Sequence, residues 1–254
     1  ICRESAGLGM SVKSGSPDAW VLGIDDTDMP GIGGTGRLAR RLAEHLEAID
    51  ICRTDGVTRH QFYEGPGVPK TSRNSAAAIA VSGDTAPDRL HAAACEVVSA
   101  ESIPGSDPGV ALGSLPLDPA LLVFARNAQQ GLVTQAEARR LADIASVDLV
   151  GLGGTNDGVI GALGAMALRI DGNDGRFVGL PGIRDVSGVV TVGEVVDLTA
   201  INAVVDIADG HDLDSNVEVD LGDWVRPRLI AGRPILVAAR DGERWVNADR
   251  RPHI

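Results

Sequence analysis

Hydrophobic positions along the chain fall into short runs separated by breakers, and each run carries its own period. Trp20-Val21-Leu22-Gly23-Ile24 is an apolar run that stops abruptly at acids, the pattern of a buried strand that delivers Asp25, Asp26 and Asp28 at its C-terminal end. Met29 to Gly36 is too rich in Gly and Pro for helix or strand. A helix follows, with Leu38, Leu42, Leu46 and Ile49 on one face and Arg37, Arg40, Arg41, Glu44 and Glu47 mostly on others. The first unit therefore reads as strand, acidic turn, Gly-rich loop, helix.

A second breaker-rich loop, residues 65–75, feeds the apolar run Ala76 to Val81, a core strand. Pro87 opens a helix to about Ala100, with Leu90, Ala94, Val97 and Val98 sharing a face. Residues 104–118 read as loop and Leu121 to Phe124 as a strand. Thr134-Gln135-Ala136-Glu137 has the form of a capping box and starts a helix to about Ile144. A third Gly-rich loop, residues 151–158, leads into Val159 to Ile170, whose small residues predict a closely packed helix. From about residue 186 short strand-like runs dominate: 189–192, 217–219, 235–239 and 245–246, with Asp241-Gly242 as a type I′ hairpin signal. The expected fold is α+β or α/β: a mixed sheet with covering helices and three Gly-rich loops, plus a β-rich C-terminal region. The division is a polar leader over 1–19, read as disordered, a catalytic domain over 20–185, and the β-rich region over 186–254.

Composition supports this fold class. Hydrophobic residues make up 44% of the 254 but aromatics only 3%, so Val, Leu, Ile and Ala must build the core, as where helices cover a sheet. No run approaches the roughly 20 apolar residues of a membrane span, and the N-terminus lacks the layout of a secretory signal. A cytoplasmic protein is the expectation. Cys2, Cys52 and Cys95 show no paired spacing, and the histidines form no metal-binding pair. The formal charge of −12 argues against a broadly basic nucleic-acid surface but leaves room for a local basic groove. Arg226, Arg228, Arg233, Arg240, Arg244, Arg250 and Arg251 make the tail locally basic; a solvated surface accounts for them equally simply.

Three carboxylates within four residues at a strand end repel one another unless something neutralises them. Mg²⁺ does so, commonly through one or two carboxylates together with substrate phosphates; the plain alternative is an Asp-rich turn that caps the helix. Gly33, Gly34 and Gly36 leave backbone N–H groups open at a helix N-terminus, which suits phosphate, with Thr35 either among the phosphates or simply the N-cap. Lys70, Thr71, Arg73 and Asn74 form a loop able to clamp a phosphate chain, or a solvated polar turn. The 151–158 loop has no GK[ST] and does not fit GxGxxG, so generic P-loop and Rossmann assignments fail.

Together these segments resemble the catalytic domain of archaeal tRNA-Ile agmatidine synthetase, which uses ATP to attach agmatine to a wobble cytidine. The resemblance rests on three ordered blocks: Gly23-Ile24-Asp25-Asp26-Thr27-Asp28 with Thr35 beyond it, Val68-Pro69-Lys70-Thr71-Ser72-Arg73-Asn74-Ser75-Ala76, and Gly158-Val159-Ile160-Gly161-Ala162-Leu163-Gly164-Ala165. It implies that Asp25, Asp26 and Asp28 hold Mg²⁺ and ATP and that Thr35 is a phosphoacceptor or phosphate contact. Thr27, Gly33, Gly34, Gly36, Lys70, Thr71, Arg73, Asn74, Gly158 and Gly161 complete the implied phosphate-binding set. There are departures. Gly34 stands where the family has a cysteine before the threonine, and the Lys70 to Arg73 stretch is one residue longer. Without paired cysteines there is no zinc ribbon, as in a bacterial-type homologue lacking that module. The expected activity is an ATP-dependent kinase or ligase that activates a small-molecule or nucleotide acceptor. A non-catalytic nucleotide-binding module and a tRNA-modifying synthetase proper are the alternatives, tRNA being disfavoured by the net charge.

Overall fold

A computed structural model describes residues 20–29, 31–68 and 73–249; the expected leader, Lys70, Thr71, Arg250 and Arg251 lie outside the described residues. Six strands form an antiparallel sheet in the order β5-β4-β1-β3-β2-β6: β1 (Trp20–Asp25), β2 (Arg53–Gln61), β3 (Ser75–Ser82), β4 (Gly109–Ser114), β5 (Asp148–Gly151) and β6 (Arg176–Gly179). Helices α1 (Thr35–Ala48) and α2 (Pro87–Glu101) cover one face; α3 (Pro119–Gln130), α4 (Gln135–Ala145) and α5 (Gly158–Asp171) cover the other.

The alternation of β1 explains both layers. Leu22 and Ile24 enter the α1/α2 core with Leu38, Leu42, Leu46, Leu90, Ala94 and Val98, while Val21 faces the α3/α4/α5 core. Gly23 and Asp25, in phase with Val21, face α5. On that face the central strands carry Gly23, Ala76, Ala78, Gly109, Ala111 and Gly113, which is why a wholly interior helix fits there. A Cβ on Gly23 would lie 2.0 Å from the Ala162 carbonyl oxygen, and one on Gly109 2.3 Å from the Gly158 carbonyl carbon. Helix and sheet thus meet backbone to backbone, and the close-packed helix expected over Val159 to Ile170 is realised.

Beyond residue 186 strands dominate, as the pattern predicts. β7 (Val189–Thr191), α6 (Val192–Leu198), β8 (Ala203–Asp206), β9 (Glu218–Asp220), β10 (Arg228–Ile230), β11 (Arg233–Asp241) and β12 (Arg244–Asn247) surround a third apolar cluster that includes Val195, Val219, Leu221 and Leu236. β10 pairs with β6, so hydrogen bonding runs on from the first sheet, and parallel pairs (β8 with β11, β9 with β12) make the whole mixed.

Some local expectations change. Leu121 to Phe124 is helix rather than strand: Asp118 accepts from the Ala120 N–H at 2.8 Å, Pro119 opens the first turn, and Leu121, Phe124, Ala125 and Ala128 are buried at helical spacing. The expected loop 104–118 contains β4. Ile49, placed on the buried face of α1, is instead its exposed C-cap. The β11–β12 turn is Gly242-Glu243 with positive φ at Gly242 only, whereas type I′ needs it at both centre positions.

Gly23→Ala puts a methyl against the α5 backbone, which has no rotamer to yield. It is expected to lower unfolding free energy by about 1–3 kcal/mol or more in chemical denaturation. A change within about 0.5 kcal/mol would contradict the packing described.

Candidate functional site

The C-terminal end of β1, the N-terminus of α1, the start of β3 and the first turn of α5 border one cavity of about 660 Å³. Asp25 is the last residue of β1, and strand alternation aims it at α5. Its carboxylate rests on Gly161, where an added Cβ would lie 1.8 Å from Oδ2; only glycine leaves room for it. Asp26 then turns the chain with φ 51°, a left-handed conformation that Asp tolerates better than most residues. Thr27 is buried beneath the turn and its hydroxyl donates to Thr35 Oγ1 at 3.2 Å.

Thr35 is the first residue of α1, not its N-cap. Gly34 holds the cap position, no side chain caps the helix, and its first turn carries no acid. Gly34, Thr35 and Gly36 all line the cavity, so the positive end of α1 opens onto it. Facing it are Arg59 of β2, Arg73 and Asn74. Arg59 donates to Ser75 Oγ at 2.8 Å and to Gln61 Oε1 at 3.2 Å, and Asn74 donates to the Tyr63 carbonyl at 2.8 Å. Phe62, Tyr63, Leu132 and Val133 supply an apolar wall.

Acid accumulates in the same cavity. Asp107 and Asp157 join Asp25, Asp26 and Asp28 as lining residues. Asp107 accepts from the Thr155 N–H at 2.6 Å and hydroxyl at 2.9 Å, which ties the loop before α5 to the loop before β4. Burial, reinforced by Asp26 and Asp28, pushes the Asp25 carboxyl up to about 7, although a hydrogen bond from the Asp26 backbone opposes it. Burial and then repulsion from Asp107, Asp28 and Asp157 push Asp26 up to about 6. Even so, among the described residues no three His, Cys, Asp or Glu side chains are grouped so as to hold a metal ion by themselves.

The cavity thus brings together Asp25, Asp26, Asp28, Gly34, Thr35, Gly36, Arg73, Asn74 and Gly161 of the residues singled out in the sequence. It does not take in three others. Thr27 lies under the turn, Gly33 packs on Asp28, where an added Cβ would sit 3.0 Å from Asp28 Cβ, and Gly158 is a spacer wedged against the backbone of Asp107 and Gly109. Lys70 and Thr71 lie outside the described residues. Arg59, Asp107, Asp157 and the apolar wall gave no signal in the sequence. Arg59 sits in a polar strand without a motif, and Asp107 in a stretch read as plain loop.

No family model matches the sequence, and no curated protein matches it. Similarity is found among solved structures. The chain is similar to TiaS, a tRNA-Ile agmatidine synthetase, in complex with tRNA and ATP (25% identity, TM-score 0.53), and to a tRNA fluorescent labeling enzyme (25%, 0.52). It is also similar to TiaS bound to tRNA, AMPCPP and agmatine (24%, 0.51). Each match takes in 59% of this chain and 36% of the other, so the region of likeness is about a third of those enzymes' length.

Because Asp25 binds its proton more tightly in the folded state, above the unfolded value of 3.8, native protein holds an extra proton between about pH 4 and pH 7. Its contribution to stability therefore falls as pH rises through that window and levels off above it. Asp25→Asn should stabilise the ligand-free protein at pH 8 by roughly 1–3 kcal/mol and flatten this slope, read by urea unfolding across pH. Loss of stability at pH 8 would contradict a half-buried carboxylate whose proton is held by desolvation and repulsion.

Proposed function

We propose that this chain binds ATP with its phosphates at the N-terminus of α1 and uses it to activate an acceptor for modification, with RNA as the acceptor class. What carries the reading is one observation: an uncapped helix N-terminus with Thr35, a cationic pair and a carboxylate cluster all face a single cavity. Anionic ligands favour such a helix end, Arg59 and Arg73 match phosphate oxygens, and the likeness is to enzymes solved with ATP, AMPCPP, agmatine and tRNA.

Mg²⁺ fits the donor set in its usual way, through one or two carboxylates and the phosphate oxygens. Asp25 and Asp26, whose proton affinities are raised by desolvation and then by neighbouring carboxylates, would hold it, with Asp28 beside them; the ion would supply charge neutralisation on the phosphates. The chain's own groups do the rest. Backbone N–H groups of Gly34, Thr35 and Gly36 orient the phosphates, and Arg59 and Arg73 stabilise charge as the bond to the leaving oxygen breaks. An acceptor oxygen that attacks phosphorus becomes a phosphorylated leaving group. An amine can then displace that phosphate from an otherwise unreactive carbon. The net charge, which on its own disfavours an RNA partner, is not evenly spread, since arginines line this cavity and the groove next to it.

ATP labelled separately at the α and γ phosphates, incubated with protein, Mg²⁺ and RNA, tests the reading. Turnover is expected to fall by about 100-fold or more in Asp25→Asn and Asp28→Asn with folding intact, and Thr35→Val should weaken ATP binding more than Thr35→Ser. Full turnover in both Asp variants would overturn the assignment. Saturable ATP binding with no ADP or AMP under any acceptor would instead favour a nucleotide-binding module.

A further inference from the structure

A second groove of about 560 Å³ opens on the far side of Arg59 and Arg73, which border both it and the larger cavity. Beyond that shared pair it is lined by Arg176 of β6, Arg226, and Arg228 of β10. Five arginines gather there on a chain whose formal charge is −12. Among the described residues the one acid in the lining, Asp174, is already engaged: it accepts from His60 Nδ1 at 2.9 Å, Gln129 at 3.0 Å and Arg126 at 3.1 Å.

The cluster is built rather than accidental. Asp249 bridges Arg228, at 2.8 and 3.0 Å, and Arg176, at 2.8 Å, and so fixes two guanidinium groups that would otherwise separate. Trp224 stacks under Arg226, whose guanidinium carbon is 5.0 Å from the ring, and under Arg184 at 3.8 Å. Arg59 is half-buried beside Arg73 and Arg176, and burial together with the charge of Arg73 holds its pKa below the ordinary value, with Glu64 opposing. Like charges fixed this close favour a multivalent anion.

We propose that this groove is a second anion site that holds the phosphate groups of the acceptor, with the ATP phosphates on the other side of Arg59 and Arg73. This rests on the ATP reading of the larger cavity. The shared arginine pair gives the arrangement its sense: the acceptor's anionic part lies next to the phosphoryl group it must meet. Phosphate of this kind comes either from a nucleic-acid strand or from a free phosphorylated small molecule.

Two probes separate those sources: a fluorescein-labelled single-stranded 12-nucleotide RNA, followed by anisotropy, and AMP, followed by calorimetry. If a strand is the source, RNA binds with a slope of log affinity against log salt of about −2 or steeper, as for three or more phosphates. If a small molecule is the source, AMP binds and the RNA does not. In either case Arg226→Glu weakens the bound probe at least tenfold, Arg226→Lys restores part of it, and Arg53→Glu, on exposed β2 surface, leaves it unchanged. Binding that Arg226→Glu does not weaken, or that Arg53→Glu weakens equally, overturns the site. ATP binding by the wild-type chain, measured in parallel, keeps the two readings apart: ATP bound with neither probe bound sinks the groove and leaves the cavity reading standing.

Discussion

The structure depends on one close approach, that of helix α5 to strands β1 and β4, where backbone meets backbone at Gly23 and Gly109. Gly23 and Gly109 on the sheet face Gly158 and Ala162 on the helix, and most of the helix so seated is buried. Dense packing of this kind transmits position accurately. It sets the first turn of α5 beside the end of β1 and leaves at Gly161 a space that the Asp25 carboxylate occupies. The same contact that organises the core therefore creates a half-buried, proton-hungry acid in the lining of a cavity.

That acid is costly in isolation, and the surroundings increase the cost. Asp26 and Asp28 add to the rise in proton affinity at Asp25, and Asp107, Asp28 and Asp157 add to that at Asp26, while the cations Arg59 and Arg73 border the same cavity. A protein selected for stability alone would not keep this separation of charge. It makes sense where a phosphate chain and its counter-ion enter the cavity, since binding then relieves the repulsion among the acids and occupies the field of the cations.

Much of this was legible in the residues. The apolar run ending in Asp25, the glycines before α1 and the small residues of α5 each carry a local signal, and the structure joins them at one place. The rest was hidden for physical reasons. β2 reads as polar because Thr58 and His60 are buried yet satisfied: His60 is fully enclosed, bonded to Thr58 Oγ1 at 2.9 Å on one nitrogen and to Asp174 on the other. Periodicity sees only hydrophobicity, so it missed the strand that carries Arg59. The apolar stretch at Leu121 to Phe124 looked like a strand because its helical partners Ala125 and Ala128 are small. The arginine groove draws on residues 59, 73, 176, 226 and 228, whose nearness is a property of the sheet order and not of any local segment, and net charge averages it away.

Whether Asp25 holds its proton until nucleotide arrives can be read by a carbon-detected NMR titration of its carboxyl, with and without Mg²⁺ and ATP. The expected midpoint is about 7 in the free protein, moving well down when the nucleotide and ion bind and the carboxylate gains a partner. A midpoint near the ordinary 3.8, or one that Mg²⁺ and ATP leave in place, would contradict it.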